Sequence, residues 1–304
     1  MTSIARMGRD ELRLALAAPA PAGGWESRWV RVAGVPTHYR ARSVPSPAAT
    51  AGAVPVVMLH GLAVSHRYLM PTADALADRH PVLVPDLPGF GLSGKPAMAY
   101  DVRRHADHVA GWLDTLALPP VCVLGHSFGA EVAAALAAAY PGRVAALVLA
   151  GPTTDATARS RRGQIRRWVG DLAVEDPRQA AILARDVYDA GPRRVWATLS
   201  HSVRNRIEDD VRAATAPTLV IGGERDPVAP RRWRALTGLL AAHPTAVTVP
   251  GAGHNAVTTA GRPVADAVAA FLAGALPAPC DPASSPADPA STPADGVPGA
   301  HAFR

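Results

Sequence analysis

Short, continuously apolar runs alternate along the chain with longer stretches that are typical of helices. The runs of strand length lie at 54–59, 121–124, 144–150 and 217–222. Strands covered on both faces of a parallel sheet lose the alternation of polar and apolar positions that a half-exposed strand shows. The pattern therefore predicts βαβ units built around a buried parallel sheet.

Further elements complete the predicted sheet and its covering layers. Segments 29–32 and 36–42 are typical of an antiparallel hairpin, and segments 82–85 and 246–249 supply two more short strands. Helices are expected over 65–79, 101–116, 128–140, 230–243 and 254–276; Pro or Gly closes several of them. The expected fold class is α/β, with a mostly parallel sheet of about eight strands flanked by helices.

The alternation of predicted strands and helices changes along the chain and divides it into regions. Residues 152–212 show little strand pattern and many helix formers, which indicates a helical cap inserted between a core of 25–151 and 213–276. Residues 1–24 form an N-terminal extension. Residues 277–304 are rich in Pro and Ala and are expected to be a disordered tail, because they cannot bury enough apolar surface to offset the entropy of ordering.

Composition narrows the class of protein. The 304 residues are 48% hydrophobic, which excludes a disordered or fibrous chain. The longest apolar run, 132–140, is far shorter than the roughly 18 residues that a membrane span requires, so no span is expected. Lys95 is the only lysine, and the formal charge of +6 reflects an arginine-rich composition.

The same features limit the expected partners. Nucleic-acid binding would need the arginines gathered on an element that faces a groove, and the sequence shows only one such cluster, within 152–212, so no nucleic-acid partner is expected. Cys122 and Cys280 cannot make a disulfide framework and are interpreted as free thiols, which favours a cytoplasmic location. Neither a cofactor nor a metal is expected, and the sequence leaves the oligomeric state open.

The sharpest chemical signal is Gly-His-Ser-Phe-Gly at 125–129, between a predicted strand and a predicted helix. A serine on a tight strand-to-helix turn needs a strained backbone and neighbours with almost no side chain. Gly125, Gly129 and Ala130 meet that need. Ser127 is therefore the candidate nucleophile.

With this elbow the sequence resembles the α/β-hydrolase fold family over about residues 25–276. The other matching motifs are His-Gly at 60–61, Asp-Leu-Pro-Gly-Phe-Gly-Leu-Ser at 86–93, Gly-Gly-Glu-Arg-Asp-Pro at 222–227 and Gly-Ala-Gly-His at 251–254. The resemblance implies a catalytic triad of Ser127, Asp226 and His254 in that chain order, at the carboxyl ends of strands.

The chemistry of the residues agrees with this triad. A serine hydroxyl is a poor nucleophile at neutral pH and needs a histidine base, which in turn needs a carboxylate to fix its tautomer. His254 is the candidate base and Asp226 the candidate carboxylate, with Asp155 as the alternative. Backbone N–H groups of Leu62 and Phe128 are expected to form the oxyanion hole.

Other residues are candidates for contact with the substrate. Ser65 and Tyr68 follow the His-Gly turn, while Trp168 and Trp196 belong to the cap and are expected to line a pocket. The cap also carries five arginines, which either attract an anionic substrate or form a solvated helix face: Arg159, Arg161, Arg162, Arg166 and Arg167.

Serine at the elbow disfavours the epoxide hydrolases and haloalkane dehalogenases of this family, which carry an aspartate nucleophile. The expected function is a serine hydrolase that cleaves a small-molecule carboxylic ester or related acyl compound through an acyl-enzyme. A meta-cleavage carbon-carbon hydrolase and an acyltransferase or perhydrolase use the same triad and stay open. A ligand receptor with slow turnover is the alternative outside the enzymes.

Overall fold

The computed structural model describes residues 24–42 and 53–276, and in this part of the chain a single sheet of eight strands has the order β1-β2-β4-β3-β5-β6-β7-β8. Strand β2 runs antiparallel to β1 and β4, and the other neighbouring pairs are parallel. The predicted fold class is thereby confirmed. The strands are β1 Trp25–Val32, β2 Val35–Arg42, β3 Val56–Leu59, β4 Val82–Pro85, β5 Val121–His126, β6 Val144–Ala150, β7 Thr218–Gly223 and β8 Pro244–Val249.

Helices flank the sheet on both faces. The α-helices of the described residues are α1 His66–Leu76, α2 Val102–Thr115, α3 Phe128–Ala139, α4 Arg161–Asp171, α5 Ala180–Ala190, α6 Pro192–Ser202, α7 Ile207–Ala213, α8 Arg231–Leu240, α9 Ala256–Thr259 and α10 Gly261–Ala275. Short 3₁₀ turns lie at Pro141–Arg143, Ala156–Ala158 and Pro177–Gln179. Most helices predicted in the core begin and end within a few residues of these bounds.

The continuous helix expected over 254–276 is an error of the sequence prediction, because the segment is divided into α9 and α10 at Ala260. Pro263 explains the break. In an unbroken helix its backbone nitrogen would donate a hydrogen bond to the carbonyl of Thr259, and proline has no N–H to donate. Proline is tolerated in the first turn of a new helix, which is the place it takes in α10.

Strand β5 shows why the central strands are apolar throughout. Val121 and Val123 belong to a core cluster shared with α2 and α3, whereas Cys122 and Leu124 belong to a second cluster shared with α1 and α10. Successive side chains of a strand point to opposite faces of the sheet. Both faces of β5 are therefore buried, and the strand holds the elbow that follows it in a fixed place.

The segment between β6 and β7 contains helices α4 to α7. Helix α7 packs against α3, because Ile207 and Val211 are buried in the same core cluster as α3. This helix is therefore packed against the body of the fold, and α4 to α6 are the helices that lie over the carboxyl end of the sheet. The boundary of the cap at 152–212 stays a prediction.

Several expectations concern residues outside the described ranges. Residues 1–23 of the predicted extension, the tail at 277–304 and Cys280 lie there. Within the described ranges Cys122 is buried as a free thiol. Of the helices described, none has both the length and the apolar character that crossing a bilayer would demand.

Candidate active site

The candidate nucleophile Ser127 lies on the sharp turn between β5 and α3. Its backbone has φ 55° and ψ −119°, a conformation that a residue with a side chain adopts only under strain. Its neighbours allow the turn, since a Cβ on Gly125 would lie 2.2 Å from the carbonyl oxygen of Gly129. A Cβ on Gly129 would lie 2.3 Å from the carbonyl oxygen of Leu59. Glycine is therefore required at both positions for the strand and helix to approach each other.

Three candidate catalytic side chains meet above this turn. Nε2 of His254 lies 3.0 Å from Oγ of Ser127, and Nδ1 of His254 lies 3.0 Å from Oδ2 of Asp226. His254 comes from the loop after β8 and Asp226 from the loop after β7. The other carboxylate oxygen of Asp226 accepts the N–H groups of Val228 and Ala229, both at 2.8 Å. These two bonds leave Oδ2 directed at the imidazole.

Electrostatics favour an ionised Asp226 and a basic His254. Burial alone would raise the pKa of Asp226, but the imidazole of His254 and the backbone N–H of Ala229 hold it below its ordinary value. Burial alone would lower the pKa of His254, yet the nearby carboxylate charges, above all that of Asp226, raise it above its ordinary value. An ionised Asp226 accepts a hydrogen bond from the N–H at Nδ1 of His254, so the lone pair of Nε2 faces the hydroxyl of Ser127.

The alternative carboxylate, Asp155, is held elsewhere. It accepts from the backbone N–H of Thr157 at 2.8 Å and from the guanidinium of Arg167 at 2.6 Å. Its hydrogen-bond and ion-pair partners do not include His254. The geometry therefore favours Asp226 as the partner of the histidine.

The two backbone N–H groups considered for an oxyanion hole lie beside the nucleophile. Phe128 is the first residue of α3, and the N–H groups in the first turn of a helix have no acceptor within the helix. Gly61 packs closely enough that a Cβ there would lie 3.1 Å from Cβ of Ser127, and Leu62 follows it in the cavity wall. Neither Leu62 nor Phe128 donates its N–H to another described residue, so both are available to an anionic oxygen.

A buried relay joins the loop of Leu62 to the loop of His254. The hydroxyl of Tyr68 accepts the N–H of Gly61 at 2.9 Å and donates its own proton to Nδ1 of His126. Nε2 of His126 then donates to the carbonyl oxygen of His254 at 2.9 Å. Because a carbonyl only accepts, the relay fixes the tautomer of His126. Burial lowers the pKa of His126 to about 3, so the ring is neutral at physiological pH.

The other candidate binding residues separate into two groups. Tyr68 and Trp168 line the cavity over Ser127. Ser65 does not line the cavity, because it is the N-cap residue of helix α1. Its hydroxyl donates a hydrogen bond to Asp186 of α5 at 2.7 Å, and this bond joins the cap to the core. Trp196 lies on the outer face of α6, 51% exposed, with the guanidinium of Arg161 stacked 4.7 Å from its ring.

The cavity has a volume of about 470 Å³ and lies between the cap and Ser127. Its wall is mostly apolar, with contributions from Leu62, Val64, Leu172, Ile182, Leu183 and Val187. The charged residues in the described wall are three carboxylates, Asp171, Glu175 and Asp176, and no lysine or arginine accompanies them there. None of the five arginines of the basic cap stretch lines the cavity.

Sequence reasoning missed Asp171 and Glu175. Asp171, at the end of α4, accepts the backbone N–H of His254 at 3.2 Å, and Glu175 accepts that of Asn255 at 2.6 Å. Both carboxylates lie in the cap, about 80 residues from the loop that they hold. No local signal marks such a contact, since the arginines around Asp171 dominate the pattern of its own segment.

His38, His66 and Asp86 form the cluster of described residues with spacing suited to a metal, and all three are buried. Asp86 accepts a hydrogen bond from Nδ1 of His38 at 2.8 Å and another from Nδ1 of His66 at 2.9 Å. It also accepts the backbone N–H groups of His66 and Leu92, at 2.8 Å and 2.9 Å. These hydrogen bonds use the lone pairs of the carboxylate, so the cluster acts as a buried network that fixes the 86–93 loop.

Comparisons with known proteins agree with this architecture. A family model described as "alpha/beta hydrolase fold" matches residues 54–181, and one described as "TAP-like protein" matches residues 194–281. The chain is 30% identical over 224 residues to 2-(acetamidomethylene)succinate hydrolase of Mesorhizobium japonicum, covering 66% of this chain and 81% of that protein. It is 32% identical over 209 residues to 2-hydroxymuconate semialdehyde hydrolase of Pseudomonas sp., covering 58% and 71% of the two chains. A thermophilic esterase from Thermogutta terrifontis has a similar fold, with a TM-score of 0.68 at 22% identity, covering 82% of this chain and 99% of that chain.

Proposed function

The chain belongs to the α/β-hydrolase fold family, and from this membership we propose that it is a serine hydrolase that cleaves small-molecule carboxylic esters. One observation carries the proposal. Asp226, His254 and Ser127 form a continuous chain of hydrogen bonds with both contacts at 3.0 Å, at the bottom of a cavity large enough for a small ester.

The proposed reaction has two halves, acylation and deacylation, and the same catalytic groups act in both. In the first half Oγ of Ser127 attacks the ester carbonyl while Nε2 of His254 takes the hydroxyl proton. The N–H groups of Leu62 and Phe128 stabilise the oxyanion of the tetrahedral intermediate. His254 then gives its proton to the departing alcohol, which leaves an ester between Ser127 and the acyl group.

Water completes the second half. His254 removes a proton from a water molecule that attacks the acyl-enzyme, and the collapse of the second tetrahedral intermediate returns that proton to Oγ of Ser127. Asp226 stabilises the imidazolium in both halves. The products are one carboxylic acid and one alcohol, and one water is consumed.

The similarity to 2-hydroxymuconate semialdehyde hydrolase supports carbon-carbon hydrolysis as a second candidate. Succinate and muconate derivatives carry carboxylates, and binding of a carboxylate normally uses arginine or lysine. The described wall of this cavity has neither. This difference favours an ester without negative charge over the substrates named for those relatives.

Labelling and turnover test the proposed function together. Purified full-length protein is treated with a fluorophosphonate probe and assayed on a series of 4-nitrophenyl esters. Ser127→Ala should abolish labelling and lower kcat by roughly 10⁴-fold or more, with the fold kept. Ser27→Ala is the matched control, because Ser27 lies on β1 at the edge of the sheet. Equal labelling of the Ser127→Ala variant would contradict the proposal.

A second assay separates the two candidates. The wild-type protein is compared on phenyl acetate and on a 2-hydroxy-6-oxo-dienoate, with kcat/KM as the measured quantity. Ester hydrolysis predicts the higher value for phenyl acetate. A much higher value for the dienoate would instead establish the carbon-carbon reaction.

A further inference from the structure

Asp171 is a buried carboxylate with an unused acceptor in the candidate active site. Only 7% of the residue is exposed, and its Oδ1 accepts the backbone N–H of His254. Its Oδ2 accepts no hydrogen bond from any residue in the described ranges, and the residue lines the cavity. Burial raises the pKa of Asp171 to about 6, so the group still carries its charge at pH 7.5. A buried carboxylate oxygen without a hydrogen-bond donor is costly, which indicates that a cationic group is to be received at Oδ2.

The position of Asp171 assigns this charge to one part of an ester. In acyl transfer by a serine and a histidine, the departing alcohol takes its proton from Nε2 of the histidine and so lies beside the imidazole. The contact of 3.2 Å between Asp171 and the backbone of His254 places the carboxylate on this side of the cavity. The charge therefore acts on the alcohol portion of the substrate.

The neighbours of Asp171 strengthen the preference for a cation. Glu175 lies four residues after Asp171 and lines the same wall, and its Oε1 accepts the backbone N–H of Asn255. Trp168 lies three residues before Asp171 on α4, so both side chains occupy one face of the helix, and both line the cavity. A carboxylate beside an aromatic ring is a combination that holds ammonium groups in proteins.

The nearby arginines do not neutralise this wall. Arg159 pairs with Glu208, and Arg167 pairs with Asp155, at 2.5 and 2.6 Å. Neither guanidinium lines the cavity. The field in the described part of the cavity is consequently negative on the side of His254, which repels an anionic alcohol portion and attracts a cationic one.

We propose that Asp171, Glu175 and Trp168 form a cation-binding subsite, and that the preferred substrates are esters whose alcohol portion carries an ammonium group. This inference rests on the proposed ester hydrolysis and names its substrate class. Asp171 is the specificity-determining residue of the subsite. Its Oδ1 contact with His254 leaves Oδ2 free for the ligand.

Binding is tested first, because it does not depend on turnover. Choline and its uncharged isostere 3,3-dimethylbutan-1-ol are titrated by calorimetry into the wild-type protein and into Asp171→Asn. The wild-type protein should bind choline roughly tenfold more tightly than the isostere, which corresponds to about 1.4 kcal/mol. Asparagine keeps an oxygen for the N–H of His254 but loses the charge, so Asp171→Asn should reduce the ratio to near one.

Kinetics give the second measurement. The ratio of kcat/KM for butyrylcholine to that for 3,3-dimethylbutyl butyrate should show the same preference and the same loss in Asp171→Asn. Asp209→Asn is the matched control, since this exposed carboxylate on α7 pairs with Arg206 and Arg212 and changes the net charge by the same amount. The control should keep the wild-type ratio.

The outcomes separate this inference from the proposed function. Equal affinity of the wild-type protein for choline and the isostere, or a preference that survives in Asp171→Asn, would overturn the cation subsite. Ester hydrolysis would stand in that case, provided that Ser127 is labelled and the uncharged ester is cleaved. Absence of labelling and of cleavage would overturn the proposed function, while the calorimetric ratio would still decide whether the subsite binds cations.

Discussion

The hydroxyl of Tyr68 donates its proton to Nδ1 of His126, although the two residues lie 58 positions apart. The same oxygen accepts the N–H of Gly61, which immediately precedes the candidate oxyanion residue Leu62. His126 in turn holds the carbonyl of His254. One phenol therefore fixes both the loop that would stabilise the oxyanion and the loop that carries the candidate base.

Tyr68→Phe is expected to lower kcat by roughly 10- to 100-fold, with a smaller change in KM. Removing the hydroxyl leaves the N–H of Gly61 and Nδ1 of His126 buried without partners, and small displacements of catalytic groups cost rate. Steady-state kinetics and the rate of fluorophosphonate labelling at Ser127 measure the effect. Tyr140→Phe is the control, because that hydroxyl makes an exposed hydrogen bond to Asp107. A loss of thermal stability with unchanged kcat would show that the relay has a structural role alone.

Asp226→Asn is expected to leave the fold intact and to lower kcat by roughly 10⁴-fold, as the equivalent change does in a serine protease. The amide of asparagine favours the tautomer of His254 that carries its proton on Nε2, and it has no charge to stabilise the imidazolium. Asp155→Asn should keep most of the activity, because that carboxylate pairs with Arg167 instead. The two variants are compared in kcat and in their circular dichroism spectra. A severe loss in Asp155→Asn with a mild one in Asp226→Asn would reverse the assignment.

Two tryptophans of the cap form a matched pair for substrate specificity. Trp168 lines the cavity, whereas Trp196 stacks on Arg161 outside it. Trp168→Ala should change the ratio of kcat/KM between long and short esters by roughly tenfold, because it enlarges the pocket. Trp196→Ala should leave that ratio within about twofold of wild type. Equal shifts in the two variants would indicate a general disturbance of the cap.

Glu131 predicts a pH dependence of stability. Its carboxylate, fully buried in α3, accepts from Thr153, Ser202 and Asn205, which lie in or beside the cap segment. Burial raises its pKa to about 8 from an ordinary value of 4.5, against the opposing effect of these donors. The folded protein therefore holds a proton that the unfolded chain releases between these two values. The contribution to stability is complete below about pH 4.5 and is lost as the pH rises through about 8.

Glu131→Gln should remove this dependence. Relative to wild type, the variant should gain roughly 5 °C in Tm at pH 9 and little or nothing at pH 5, as measured by thermal denaturation. Glu26→Gln is the control, because Glu26 is exposed and pairs with Arg28. A wild-type Tm that rises between pH 6 and 9 relative to Glu131→Gln would contradict the sign of the effect.

Local patterns were sufficient to predict the sheet and the elbow. A strand buried on both faces must be apolar at every position, so β5 and β6 are visible in the sequence alone. The turn at Ser127 is also visible, because the backbones that meet there leave no room for a Cβ at Gly125 or Gly129. Signals of this kind depend on neighbours within a few positions of the chain.

Tertiary structure decided the rest, because the deciding contacts join distant segments. The sequence offered Asp226 as the candidate carboxylate and Asp155 as the alternative, and the pairing of Asp155 with Arg167 in the folded chain favours Asp226. Trp168 and Trp196 have the same chemistry, and the packing of α4 and α6 directs only Trp168 into the cavity. Asp171 lies 83 positions from His254, and the two residues are brought into contact only by the folded chain. The charge of the cavity is therefore a property of the folded chain, since an arginine-rich segment presents its carboxylates to the site and its arginines elsewhere.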